Sequence, residues 1–308
     1  MKKIFFVIVL LTAAFNAKAQ YDPMFTQYMF NELFINPAYA GARENLSVNM
    51  LVRDQWAGID GAPKTQTFTI HAPVSNRKIG LGFAVMNETI GVTHRLVLNG
   101  DFAYRILMDN ATFALGLQGG VTNYQEKFSE LKTTTGYDNQ FTYNSEKLWL
   151  PNAGFGMYYY TNKFYAGLSI PRLIENKVDV TTSTTTVKNV GNVKDWHYYI
   201  ATGYVFNLND NIKFKPSIMI KTVQGAPIEL DADALFIFND LFWIGGAYRT
   251  GDAVAAIIGL QINRQLRIGY SYDYTLTGLQ DYNSGSHEFT LGYDFSFDKN
   301  RIITPRYF

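Results

Sequence analysis

The sequence predicts an all-β fold, a transmembrane antiparallel up-and-down β-barrel of about fourteen strands with an N-terminal periplasmic or plug segment. Three observations predict it. The chain opens with an export leader and has no later run apolar enough to cross a membrane as a helix. From Leu46 onward it breaks into segments of about ten residues in which apolar and polar side chains alternate. The links between those segments alternate between tight turns and longer loops.

The leader comes first. Lys2 and Lys3, the apolar stretch from Ile4 to Leu11 and the small-x-small site Ala17-Lys18-Ala19 form a secretory signal peptide over 1–19, cleaved before Gln20. Its apolar run falls short of the roughly 20 residues a spanning helix needs. Residues 20–45 do not alternate. Met24, Phe25, Tyr28, Met29 and Phe34 give a mixed apolar surface, and Asn36-Pro37 breaks the chain path. This is expected to be a periplasmic segment that plugs the barrel mouth or docks on a partner. The barrel is expected over 46–297, followed by a periplasmic tail over 298–308.

Within the barrel, Ile79, Leu81, Phe83 and Val85 alternate with Gly80, Gly82 and Ala84. Leu96, Leu98, Phe102, Tyr104 and Ile106 oppose Arg95, Asn99, Asp101 and Arg105. Phe289, Leu291, Tyr293, Phe295 and Phe297 oppose Glu288, Thr290, Gly292, Asp294 and Ser296. A period of two places one set on each face of a strand. A soluble sandwich alternates too, but here the polar faces are rich in small residues, as a confined interior requires. Tyr158-Tyr159-Tyr160 and Tyr270, Tyr272 and Tyr274 suit interfacial girdles. Tight turns are expected near 74–77, 108–110, 161–163, 208–211, 239–240 and 263–265. The links at 125–148, 171–195 and 276–284 are longer, and those at 88–91, 224–227 and 250–252 are short. All the long links share one side, which in bacterial barrels is the outside, so both termini are expected in the periplasm.

Composition narrows the function. Hydropathy is near neutral although the chain has 23 Phe and 21 Tyr with only 17% charged residues. There is no cysteine, so no disulfide supplies rigidity. Taking the three leader lysines from the 27 basic residues leaves 24 against 26 acidic, a balance that argues against a nucleic-acid partner. His71, His94, His197 and His287 are far apart and lack metal-ligand spacing, and no nucleophile elbow, zinc-protease or phosphate-loop motif is present. No catalytic residue, metal site or cofactor is expected. The one charged constellation is Glu229, Asp231 and Asp233 on one strand face, with Lys213, Lys215 and Lys221 on the strand before. If the hairpin turns near 224–227, Lys221 falls opposite Glu229 or Asp231. That ladder reads as an internal salt-bridge network, or else as an acidic strip selecting a cation or basic peptide.

Three stretches go beyond barrel grammar. They are Asp22-Pro-Met-Phe-Thr-Gln-Tyr-Met-Phe-Asn31 leading to Ile35-Asn-Pro-Ala-Tyr-Ala-Gly41, then Arg53-Asp-Gln-Trp-Ala-Gly58 through Gly61-Ala-Pro-Lys-Thr-Gln66, and the terminal Pro305-Arg-Tyr-Phe308. The chain resembles the PorP/SprF family of outer-membrane proteins of the Bacteroidota type IX secretion system, from Gln20 to Phe308, with the first two motifs the specific part. The resemblance implies a non-enzymatic barrel embedded in outer-membrane lipid. Its partners would be exported cargo bearing a C-terminal sorting domain, the type IX translocon and components of the periplasmic ring. In the SprF-like branch the cargo is typically a large surface adhesin, as in gliding motility. The interaction candidates it puts forward are Gln27, Tyr28, Asn36, Pro37, Tyr39 and Gly41 in the first motif. In the second they are Arg53, Gln55, Trp56, Gly58, Gly61 and Pro63. Read by themselves, Asn36, Pro37, Tyr39 and Gly41 fix a sharp path into the first strand. Arg53 and Trp56 straddle the mouth of the first hairpin, and Gly58, Gly61 and Pro63 shape its loop. The competing expectation is a small-molecule channel of the fatty-acid-transporter kind, plugged by the N-terminal segment.

Overall fold

The computed structural model describes residues 23–74, 76–131, 144–181, 184–190 and 196–295. The expected signal peptide and C-terminal tail, with Ser296 and Phe297, lie outside the described residues. In chain order the strands are β1 (Leu46–Asp54), β2 (Lys64–Val74), β3 (Ile79–Ile90), β4 (Thr93–Leu107), β5 (Thr112–Glu126) and β6 (Leu148–Tyr160). Then come β7 (Phe164–Ile170), β8 (Glu175–Thr181), β9 (Thr184–Val190), β10 (Tyr198–Tyr204), β11 (Phe206–Asn207) and β12 (Ile212–Thr222). The last five are β13 (Glu229–Phe238), β14 (Phe242–Arg249), β15 (Ala253–Gln261), β16 (Leu266–Thr275) and β17 (Ser286–Phe295).

Each wall strand pairs antiparallel with its sequence neighbour, and β1 pairs with β17, so the sheet closes on itself. β10 and β11 both pair with β12 and are one wall strand interrupted at Val205, giving fourteen wall strands among the described residues. Closure leaves no wall strand as a free edge, the condition for crossing hydrocarbon with strands. The faces sort as the alternation predicts. In β17, Ser286, Glu288, Thr290, Gly292 and Asp294 are buried inside while Phe289, Leu291 and Phe295 are exposed outside. Leu81, Phe83, Phe102 and Tyr104 lie on the same outer surface. Charge inside and hydrocarbon outside is the arrangement lipid favours.

The links fall where the sequence puts them. At the hairpin between β13 and β14, Asn239 and Asp240 both take left-handed backbone, with φ of 51° and 56°. The Leu241 N–H closes the turn onto the Phe238 carbonyl at 2.9 Å; a turn that matches strand twist needs such angles at its two central residues, and Asn and Asp tolerate them. One long link holds structure the sequence reading missed: β8 and β9 pair as a separate hairpin off the barrel. Its residues, many of them Thr, are polar enough to read as loop. The tyrosine girdle also needs correction at Tyr158 and Tyr160: Tyr158 is buried inside with its ring 5.4 Å from that of Tyr39, and Tyr160 lies beside it on the same face, its hydroxyl accepting from buried Arg105.

Residues 23–45 pack against the inward faces of the wall. The segment makes a 3-10 turn at Tyr28–Phe30, the short helix α1 (Glu32–Ile35) and a second 3-10 turn at Pro37–Tyr39. Pro37 opens that second turn, where a missing N–H costs nothing, and the Asn36 side chain caps it by accepting from the Ala38 N–H at 3.0 Å. The interior is not uniformly hydrophilic. Leu51, Leu235, Ile237, Trp243 and Ile257 point inward and pack with Phe25, Tyr28 and Met29. Leu33, Ala38 and Tyr39 pack with Ala103, Ala114 and Tyr165. Inward apolar residues are the complement of an apolar segment with no other core to enter.

Candidate functional site

Two polar anchors hold the inner segment. The first lies in the half of the barrel that carries the long loops. Arg53 ends β1, and closure places it directly opposite Glu288 of β17. Its guanidinium pairs with Glu288 at 3.0 Å and with Asp273 of β16 at 2.8 Å, and all three side chains are at most 2% exposed. The segment completes the cluster. The backbone N–H groups of Thr26 and Gln27 donate to the Glu288 carboxylate at 3.0 and 2.7 Å. The Thr26 hydroxyl donates to Asp273 and accepts from Arg53 at 3.2 Å. Buried charges survive only when paired and hydrogen-bonded on all sides. Here the chain itself provides the last donors.

The second anchor lies by the short turns. Arg43 pairs with Asp294 at 2.8 Å, and Arg267 reaches the same carboxylate at 3.0 Å. The neighbouring Gly41 N–H donates to His71 Nδ1 at 3.0 Å, which gives that histidine a structural partner. Between the anchors the segment runs close to the wall at glycines. A Cβ on Gly80 would sit 1.9 Å from the Ala40 carbonyl oxygen, one on Gly116 2.1 Å from the Ala38 nitrogen, and one on Gly156 2.0 Å from Asn36 Oδ1. Asn36 Nδ2 donates to the Met157 carbonyl at 2.9 Å, and Ser169 Oγ donates to the Ile35 carbonyl at 2.9 Å. Small inward residues therefore form a seat for a backbone.

The interaction candidates separate into two groups. Gln27, Tyr28, Asn36, Pro37 and Tyr39 are buried against the wall, as is Arg53. Gly41 takes left-handed backbone (φ 76°) where the chain turns beside Pro73 and Gly80. These residues contact the barrel's own interior. Gln55, Trp56, Gly58, Gly61 and Pro63 form the β1–β2 loop. The Gln55 N–H donates to the Pro63 carbonyl at 3.0 Å, and the Trp56 N–H to Ser286 Oγ at 3.0 Å. Ala57 and the 284–285 backbone exchange hydrogen bonds of 2.8 and 2.7 Å, and Gly91 N–H donates to the Gly61 carbonyl at 2.8 Å. This loop ties three links together and leaves Gly58 and Gly61 exposed at the surface.

The charge ladder is built with a partner the sequence reading did not name. Lys221 stands opposite Glu229, while Met219 and Ser217 stand opposite Asp231 and Asp233. Arg249 on β14 is the hub: it pairs with Asp231 at 2.7 Å, Asp252 at 3.3 Å and Asp273 at 3.6 Å, joining the ladder to the first anchor. Lys213 turns to Asp240 at 2.6 Å, and Lys215 lies over the Phe30 and Tyr165 rings. Arg95 pairs with Glu88 across the β3–β4 hairpin. Among the described residues no group of three or more His, Cys, Asp or Glu is placed to hold a metal.

Closed wall, apolar exterior and charged interior define an outer-membrane β-barrel with its N-terminal segment packed against the inside. The chain belongs to the PorP/SprF family, described as type IX secretion system membrane proteins, whose pattern matches residues 17–293. Both N-terminal motifs fall in that match, and they meet in space where Thr26 and Gln27 contact the Arg53 cluster. No protein of curated description matches the sequence. Among solved structures, the Acinetobacter baumannii outer membrane protein Omp33 is similar at 8% identity, over 82% of this chain and 98% of that one, with a TM-score of 0.47. A Pseudomonas aeruginosa FadL homologue is similar at 12% identity, over 91% and 96%, with a TM-score of 0.44. KdgM porin is similar at 8% identity, over 81% and 99%, with a TM-score of 0.40.

Proposed function

We propose that this protein is a non-enzymatic barrel of the type IX machinery that holds or guides an exported protein at the cell surface. Family membership supports the link to secretion. The observation that carries the rest is the occupied interior: an anchored segment lies where a solute pore would need open water. In this reading the segment plugs the lumen and residues 1–19 are a cleaved leader. The short turns face the periplasm, where ring components dock, and the long loops face outward. The cargo is a protein with a C-terminal sorting domain, such as a large adhesin used in gliding. Deleting the gene is expected to abolish surface display of that cargo class while leaving other outer-membrane proteins in place. Undiminished display of all such cargo would overturn the reading.

A second reading has one observation in its favour. A cavity of about 330 Å³ opens toward the long loops; Phe25, Phe34, Met86, Val97, Tyr199 and Met219 form its apolar part, with Arg95, Lys221 and Glu229 also in the lining. Apolar pockets of this size suit small molecules, as a fatty-acid-transporter-like channel would require. Planar-bilayer recording separates the two: a steady pore favours the channel, and a silent barrel that co-purifies with a secreted protein favours secretion.

A further inference from the structure

A second cavity, of about 460 Å³, lies at the opposite mouth, between the inner segment and the wall from β12 to β17. Its apolar wall is made by Phe30, Leu235, Ile237 and Trp243. Its charged residues are Arg43, Lys215, Arg264 and Arg267 against Asp240 and Asp294, a cationic balance. Both acids are engaged: Asp240 by Lys213 at 2.6 Å, and Asp294 by Arg43 and Arg267 at 2.8 and 3.0 Å. Arg264, exposed in the β15–β16 turn, makes no ion pair among the described residues.

Two buried donors in the lining have no acceptor. Trp243 is 7% exposed and its Nε1 has no hydrogen-bond partner; Arg267 is 5% exposed and its Nε has none. Glycines of neighbouring strands make room for both groups, since a Cβ on Gly259 would strike the indole and one on Gly292 the guanidinium. A buried donor left without an acceptor is costly, and an acceptor entering the cavity would lower that cost. A bare inorganic anion would satisfy the donors but leave the apolar wall unfilled. A neutral lipid would fill the wall and leave the cations without a counter-charge.

We propose that this cavity binds a single-headed anionic amphiphile, with a carboxylate or phosphate monoester toward Arg264 and Arg267 and a short aliphatic tail along Phe30, Leu235, Ile237 and Trp243. The volume lies within the range that holds small-molecule ligands. The site is independent of the secretion reading and of the cavity at the long-loop mouth. The head meets the guanidinium groups of Arg264 and Arg267, and charge-assisted bonds to arginine are the stronger kind.

The test uses the full chain in maltoside micelles with Trp56, Trp149 and Trp196 changed to Phe, leaving Trp243 as the fluorophore. Titration with ω-bromo-octanoate is expected to give saturable quenching, at a concentration about tenfold lower than ω-bromo-octanol, the gap one charge-assisted contact provides. Octanoate and octyl phosphate, used as unbrominated competitors, show which head is preferred. Arg264→Ala, an exposed turn change, is expected to weaken binding of the acid several-fold, while Lys163→Ala in another short turn leaves it unchanged. Quenching that does not saturate, equal quenching by the alcohol, or an Arg264→Ala variant that binds the acid as before would overturn the proposal.

Discussion

Arg53 joins three stretches remote in sequence: the segment at Thr26, β16 at Asp273 and β17 at Glu288. Replacing it with Ala would leave buried Glu288 without its guanidinium and Asp273 with Arg249 alone, at 3.6 Å, and breaking a buried pair in this way costs about 3–5 kcal/mol. The relief is local, because the carboxylates can be reached by water once the segment lifts. The expected outcome for Arg53→Ala is faster hydrogen exchange at the amides of residues 25–30, with strand amides as protected as before. Unchanged exchange at Thr26 and Gln27 would show that the anchor carries no such load. Some of these residue pairs were legible from hairpin arithmetic. Lys221 and Glu229 are equidistant from Gly225, and Asp231 and Arg249 from Asp240, so knowing the turns fixes the partners. Arg249 lies across the next hairpin, on β14, so the pairing of lysines with acids across the β12–β13 hairpin does not reveal it. Arg53 with Glu288 was not legible at all, because their register depends on how far the closing strands are staggered, a property of the whole barrel.

At the scale of elements, the wall strands and tight turns were legible because period-two alternation and Asn/Asp turn chemistry are local signals. The inner segment was legible only as a stretch that does not alternate, since its 3-10 turns and one-turn helix have no period and take their shape from the surface they rest on. That surface was visible only as an excess of glycine in strands, which by itself says that something approaches closely but not what. The two facts combine at Gly116. A Cβ there would land 2.1 Å from the Ala38 nitrogen, against backbone that cannot rotate away. Gly116→Val is therefore expected to leave the barrel folded, with its heat-modifiable migration in gels intact, while exposing residues 36–40 to added protease. The mirror change at Gly119, where a Cβ meets nothing within 4 Å, is expected to leave the segment protected. Equal protease resistance of the two variants would mean that the seat is not what holds the segment.

At the scale of the molecule, barrel size and segment burial are one problem. A barrel of eight strands can be filled by its own side chains, while one of sixteen to eighteen leaves a water-filled channel. Fourteen strands lie between, so the interior is too wide for wall side chains alone, and the chain fills the difference with Phe25, Tyr28, Met29, Leu33 and Tyr39. Removing the filling without breaking the wall should then create a pore lined by Arg53, Asp273, Arg249 and Glu288. The intact barrel is expected to be silent in planar bilayers, and deletion of residues 23–40 to give steady conductance, sensitive to salt because the exposed lining is charged. Arg53→Ala should give brief openings in place of a steady pore, since it frees one anchor and leaves the Arg43–Asp294 anchor in place. If the intact protein already conducts steadily, the segment does not close the lumen. If the deletion variant folds but stays silent, the wall itself collapses or the loops cover the mouth, and in either case the inner segment is not the element that closes the barrel.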